Sequence, residues 1–159
     1  MNCKSCPFNT GKKIEGEGSR ITRTYTVDVP TSNPKITFKR EVEERDNIGP
    51  YDIVCVAMAP AREEVKQGRV LVGVSGQILR RSLESMGVIE YYLCNILLCS
   101  IEEESAQNQA IACCRDVVEE VVERKPLLVI ALGDMPLQKL ISEEMKKEGI
   151  ILNIGISGD

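Results

Sequence analysis

Apolar residues fall along this chain in two rhythms. Over Ile21 to Val29 and again over Lys35 to Val42 they alternate with polar residues at period two. The intervening Pro30-Thr31-Ser32-Asn33-Pro34 then predicts a hairpin. After Gly49-Pro50 the rhythm changes. Ile53 to Met58, Tyr91 to Leu98 and Leu127 to Leu132 are short continuous apolar runs, the pattern of strands buried on both faces. Between them the spacing is helical. Gln77 to Met86 places Ile78, Leu79, Leu83 and Met86 on one face, with Gly76 and Gly87 as punctuation. Gln109 to Arg124 repeats Cys114, Val117, Val118, Val121 and Val122, and Pro126 stops it. Pro136 to Lys147 reads as a helix opened by its proline, and Ile150 to Ile156 is a last apolar segment. Strands separated by helices predict an α/β fold with a parallel sheet covered on both faces. One domain over 1–159 is expected, without repeats. Gly11 to Gly18 reads as a mobile loop.

In a sheet of this kind ligands bind beyond the carboxyl ends of the strands, so the segments after Met58, Asn95 and Leu132 carry the interest. The first runs Ala59-Pro60-Ala61-Arg62-Glu63-Glu64 and continues into the glycine-spaced stretch Gly68 to Gln77.

With 159 residues, 43% apolar and 28% charged, the chain is long enough for one domain with a core. A net charge of -4 is unfavourable for nucleic-acid binding, which draws on phosphate neutralisation. Such binding has to use a local patch, for which Arg62, Arg69, Arg80 and Arg81 are the candidates. No apolar run approaches the roughly 20 residues that cross a bilayer, so no membrane partner is expected. Seven cysteines, an odd number, with no signal-like apolar start, fit reduced thiols in the cytoplasm rather than a disulfide framework.

Four of those cysteines are spaced like a metal cage in a chain with no histidine. Cys3 and Cys6 have two residues between them, so one tight turn can aim both thiolates at one ion, and Cys99 and Cys114 have fourteen. Tying the amino terminus to a mid-chain loop costs closure entropy that metal bonds offset. Spacing leaves zinc and iron-sulfur equally open, and Cys113 is able to replace its neighbour Cys114. Cys55 and Cys94 lie inside strand runs and read as core.

Ala57-Met58-Ala59-Pro60-Ala61, Gly68-Arg69-Val70-Leu71-Val72-Gly73, Ser75-Gly76-Gln77-Ile78-Leu79, Tyr92 to Cys99, Cys113-Cys114-Arg115 and Leu132-Gly133 follow one another in a recognisable order. In this register the chain resembles the family-four, iron-sulfur uracil-DNA glycosylases. The resemblance runs from Cys3 to about Leu140 and leaves the hairpin, at about 21–42, as an insertion. It implies a three-layer α/β/α fold with a central parallel sheet, and a 4Fe-4S cluster on Cys3, Cys6, Cys99 and Cys114 with a structural role. It implies single-stranded or uracil-containing DNA as partner, with a flipped base held by Ala59, Pro60, Leu71 and Asn95. The Asn95 amide would pair with the polar edge of uracil.

Three departures from the family pattern stand out. Met58 occupies the position of the glutamate that orients water, and Leu71 that of the stacking phenylalanine. The family's late His-Pro segment, with its strand and helix, has no counterpart before Asp159. Glycosylase activity is therefore expected to be weak or absent, with Glu63 and Glu64 as the only candidates for a displaced base. Alternatives are a noncatalytic or fragment domain of a DNA polymerase or repair complex, in contact with a replication or repair protein, and a small-ligand α/β protein with structural zinc. The last would use the glycine-rich loop, though no phosphate-binding fingerprint is present.

Overall fold

The computed structural model describes residues 3–141 and 151–154. Its centre is a five-stranded sheet in the order β1-β5-β4-β6-β7, with β1 at Glu17–Gly18, β4 at Ile53–Ala57, β5 at Tyr91–Asn95, β6 at Leu128–Leu132 and β7 at Ile151–Ile154. Strands β4 to β7 pair in parallel, and β1 closes one edge antiparallel to β5.

Strand alternation divides the core into two layers. Val54, Val56, Tyr92, Cys94, Val129 and Ala131 face one way, against Ala110, Val117, Val121 and Leu140. Cys55, Leu93, Tyr91 and Ile130 face the other, against Leu83, Val70 and Ile14. The first layer is covered by α3 at Glu104–Ile111, α4 at Val117–Glu123 and α5 at Asp134–Leu140, and the second by α2 at Val74–Ser85. This is the three-layer arrangement that the apolar runs predict. Each run is continuous because both of its faces are buried.

Several elements differ from the sequence expectation, each for a physical reason. The helix expected over Gln109 to Arg124 is two helices. Asp116 accepts from Val118 N and starts α4 afresh, while the Arg115 side chain turns back to the carbonyls of Asn95 and Ile96. The strand expected to reach Leu98 ends at Asn95. A short helix, α1 at Arg62–Gln67, fills part of the connection after β4. Gly11 to Gly18 is not simply a loop. Ile14, Gly16, Glu17 and Gly18 are buried, because the glycines pass so close to Tyr92 and Tyr51 that a Cβ at Gly18 would lie 1.9 Å from the Tyr51 hydroxyl. Pro136 is the third residue of α5, still in its first turn. Residues 142–147 of the expected last helix, and 150, 155 and 156 of the last segment, lie outside the described residues.

The hairpin forms as expected, with β2 at Ile21–Pro30 and β3 at Thr37–Arg45 in antiparallel register, and it makes a sheet of its own.

Candidate functional site

The carboxyl ends of β4 and β5 lie side by side, with Ala57 opposite Asn95, and both strands continue into the connections that matter. Ile96 N donates to Ala57 O and Leu97 N to Met58 O, which holds the two exits together. Asn95 is 2% exposed, yet neither its Oδ1 nor its Nδ2 has a hydrogen-bond partner. An amide buried in this way forgoes hydrogen bonds worth on the order of 1–3 kcal/mol unless something else supplies them. By alternation along β5 its side chain is on the layer of Leu93, the layer on which Leu71 packs.

Leu71 itself has φ +49, a conformation unusual for a branched residue. It is held there by Arg80, whose Nε donates to Leu71 O at 3.0 Å and Nη2 to Val70 O at 2.7 Å. Gly76 lies directly beneath, where a Cβ would come within 2.2 Å of Leu71 O. Gly76→Ala must therefore move backbone rather than a side-chain tip. It is expected to cost about 1–3 kcal/mol, read as a lower urea midpoint at unchanged slope.

Arg80 is one of three arginines gathered on a single buried carboxylate. Glu17 receives Arg69 through Nε and Nη2, Arg80 Nη2 at 2.9 Å and Arg45 Nε at 3.2 Å. Two of the four cations expected to face DNA, Arg69 and Arg80, are thus engaged internally. Sequence reasoning missed Glu17 because it sits between glycines in an apparent loop.

Of the remaining candidates, Ala59 and Pro60 line an open hollow with Met58, Ala61, Arg62 and Ile101. The lining of that hollow includes neither Leu71 nor Asn95. Glu63 accepts from Gln67 Nε2 on the outer side of α1. Glu64 is 8% exposed, with Oε1 accepting from Gly73 N at 3.2 Å and Oε2 without a partner. Met58 packs on the first core layer and carries no group able to take a proton.

Ile101 also lines a second cavity, where the thiols meet. Cys3, Cys6, Cys99, Cys113 and Cys114 all line one cavity, whose remaining wall includes Phe8, Leu97, Leu98, Ile101 and Ala110. All five are free thiols. The Cys113 thiol is held above the usual range by desolvation first and by Cys6 and Cys114 beside it. Among the described residues no three His, Cys, Asp or Glu side chains are arranged so that they could hold one metal ion. The donor set nevertheless suits a thiophilic metal group, since the walls are apolar and one more sulfur is present than a four-ligand group requires. Cys55 and Cys94 stand apart as expected. Burial pushes the Cys55 thiol up to about 12 and raises Cys94 further.

Arg115 joins the two halves of the site. Its Nη1 lies 4.0 Å from Cys114 Sγ and donates to Ile96 O, and its Nη2 donates to Asn95 O and pairs with Glu120. Glu120 also accepts from Tyr92, whose hydroxyl pKa is raised by burial and then by that carboxylate. The thiol loop and the Asn95 backbone therefore share one guanidinium.

Fold and site together define an α/β/α protein with an unpaired amide at the end of β5 and a thiol-lined cavity, the two linked through Arg115. The chain belongs to the Uracil DNA glycosylase superfamily, which it matches over residues 47–154. A type-4 uracil-DNA glycosylase from Pyrobaculum aerophilum is 29% identical to it over 85 residues, covering 51% of this chain and 43% of that protein. The chain thus aligns with less than half the length of this curated relative.

Proposed function

We propose that this chain is an iron-sulfur member of the superfamily that binds DNA and holds a flipped uracil at Asn95, with little glycosylase chemistry of its own. Asn95 carries the reading. Its amide has an acceptor and a donor, both buried and both unpaired, and the polar edge of uracil offers the complementary pair. Leu71, fixed by Arg80, supplies an apolar wall, and Ala59 and Pro60 the approach to the strand ends.

Cys3, Cys6, Cys99 and Cys114 would hold the 4Fe-4S cluster, which when bound cross-links the amino-terminal turn to the loop after β5 and supplies order rather than redox chemistry. Arg115 then keeps Asn95 in register with that loop. Within this reading the chain acts as the base-binding part of a larger repair or replication assembly.

The test is fluorescence anisotropy on short single-stranded oligonucleotides containing either uracil or an abasic analogue at one position. The uracil strand should bind about tenfold more tightly, and Asn95→Ala should abolish that difference while leaving abasic binding unchanged. Equal affinity for the two strands in the unaltered protein would refute the assignment of Asn95.

A further inference from the structure

With Arg69 and Arg80 engaged by Glu17, Arg62 and Arg81 remain of the four candidate cations, and any further cationic surface for the DNA strand lies elsewhere. The hairpin supplies it. Directly opposed residues of an antiparallel pair share a face, so Tyr25 with Val42, Val27 with Arg40, and Val29 with Phe38 define one side of the ribbon. Tyr25 is 42% and Phe38 54% exposed, and they are the only largely exposed aromatic rings among the described residues. The Arg23 guanidinium lies 5.3 Å from the Tyr25 ring centroid. Arg40 has no ion-pair partner among the described residues, in contrast to Arg23, Lys39 and Arg45 of the same hairpin.

The opposite side carries Thr24 with Glu43, Thr26 with Glu41, and Asp28 with Lys39. Tyr25, Phe38 and Arg40 are thus on one face, where Glu44 is neutralised by Arg23, and Glu41 and Glu43 are on the other. Along the ribbon Tyr25 and Phe38 are roughly 13 Å apart, with Arg40 midway between them. Ring, guanidinium, ring is the chemistry that grips single-stranded nucleic acid without reading its sequence, by stacking bases and neutralising the phosphate between them.

We infer that the Tyr25, Arg40, Phe38 face of the hairpin is a binding arm for single-stranded DNA, separate from the base site. This rests on the reading of the chain as a DNA-binding protein. The arm is rooted where Ser19 N donates to Tyr91 O, at the start of β5, whereas Asn95 ends that strand. It therefore grips strand at a distance from the held base, and the acidic face turns the strand to one side only. A protein partner would use the same apolar face differently. It has no need of an unpaired arginine between two rings, and in a two-fold contact between copies Arg40 near the middle of the face would meet its own like charge.

The experiment uses the whole chain with a labelled oligothymidine of roughly 30 nucleotides, free of uracil and longer than a single stacking platform needs. Tyr25→Ala with Phe38→Ala should weaken binding about tenfold or more. Arg40→Ala should lower the slope of log affinity against log salt by about 1. Glu41→Gln on the other face should not weaken it. Both sets of residues are exposed, so an unaltered melting temperature is expected to accompany these changes. Unchanged affinity and slope in the variants would overturn the inference. So would sedimentation showing that the double variant loses a dimer while keeping its affinity, which would make the face a protein contact. The uracil-dependent increment at Asn95 is measured on short strands and should survive every hairpin variant, so failure of the arm and failure of the base site give different results.

Discussion

Purified without oxygen, the protein should carry about four irons per chain and a broad visible absorbance. Cys114→Ser should remove both, because a serine oxygen is a poor substitute for thiolate toward iron. Cys3→Ser and Cys6→Ser should do the same. Cys55→Ser should leave the iron in place, since that thiol is fully buried in the second core layer, with its pKa pushed up to about 12. Cys113 is the discriminating position. It lines the same cavity as Cys6, so it is the nearest substitute, yet Cys113→Ser should retain iron if Cys114, backed by Arg115, is the ligand. Iron lost from Cys113→Ser alone would exchange the two assignments. One zinc per chain with no iron would replace the cluster by the simpler site.

The second large effect is on catalysis. The chain should release uracil from single-stranded or mismatched DNA at a rate at least about 10^4-fold below that of a family member with the full set of groups, as read by a radiolabel or gel assay. Breaking the bond between uracil and deoxyribose adds water at the sugar carbon and leaves the electron pair on the departing base. A group must take the water's proton, and a donor must steady the negative charge. Met58 can do neither, and the sequence contains no histidine to act as the donor. The loss of one preorganised donor alone costs about 2.7–4 kcal/mol. Turnover comparable to such a member would overturn this expectation and direct attention to Glu64. Its unpaired, buried Oε2 is the strongest remaining candidate for a base, and Glu64→Gln would then abolish the activity.

The strands were legible because a doubly covered sheet demands unbroken apolar runs, and Ile53, Tyr91 and Leu128 begin strands within a residue of where those runs predict. The break between α3 and α4 was not legible. Apolar spacing, from Ala110 through Cys114 to Val117, Val118 and Val121, continues in phase across it, whereas its cause is Arg115, whose partners are backbone carbonyls twenty residues away or nearly so. Backbone carbonyls leave no mark on a sequence. Helix α1 escaped notice for a different reason. It is only six residues long and largely polar, and its one buried side chain is a glutamate. The cysteine set stood out through its spacing, and Asn95 through the resemblance of its strand to the family's. The engagement of Arg69 and Arg80 was not, since a count of cations cannot show which of them a carboxylate 52 or 63 positions away has already taken.

Glu17 has a mechanical meaning as well. The hairpin ends at Arg45, and Arg45 closes onto the same carboxylate as Arg69 and Arg80. A load applied at the tip of the ribbon is therefore not dissipated in a loose linker. It is passed through Arg45 to Glu17, and from there through Arg80 to the Leu71 carbonyl, so that the proposed arm and the proposed base site share one carboxylate.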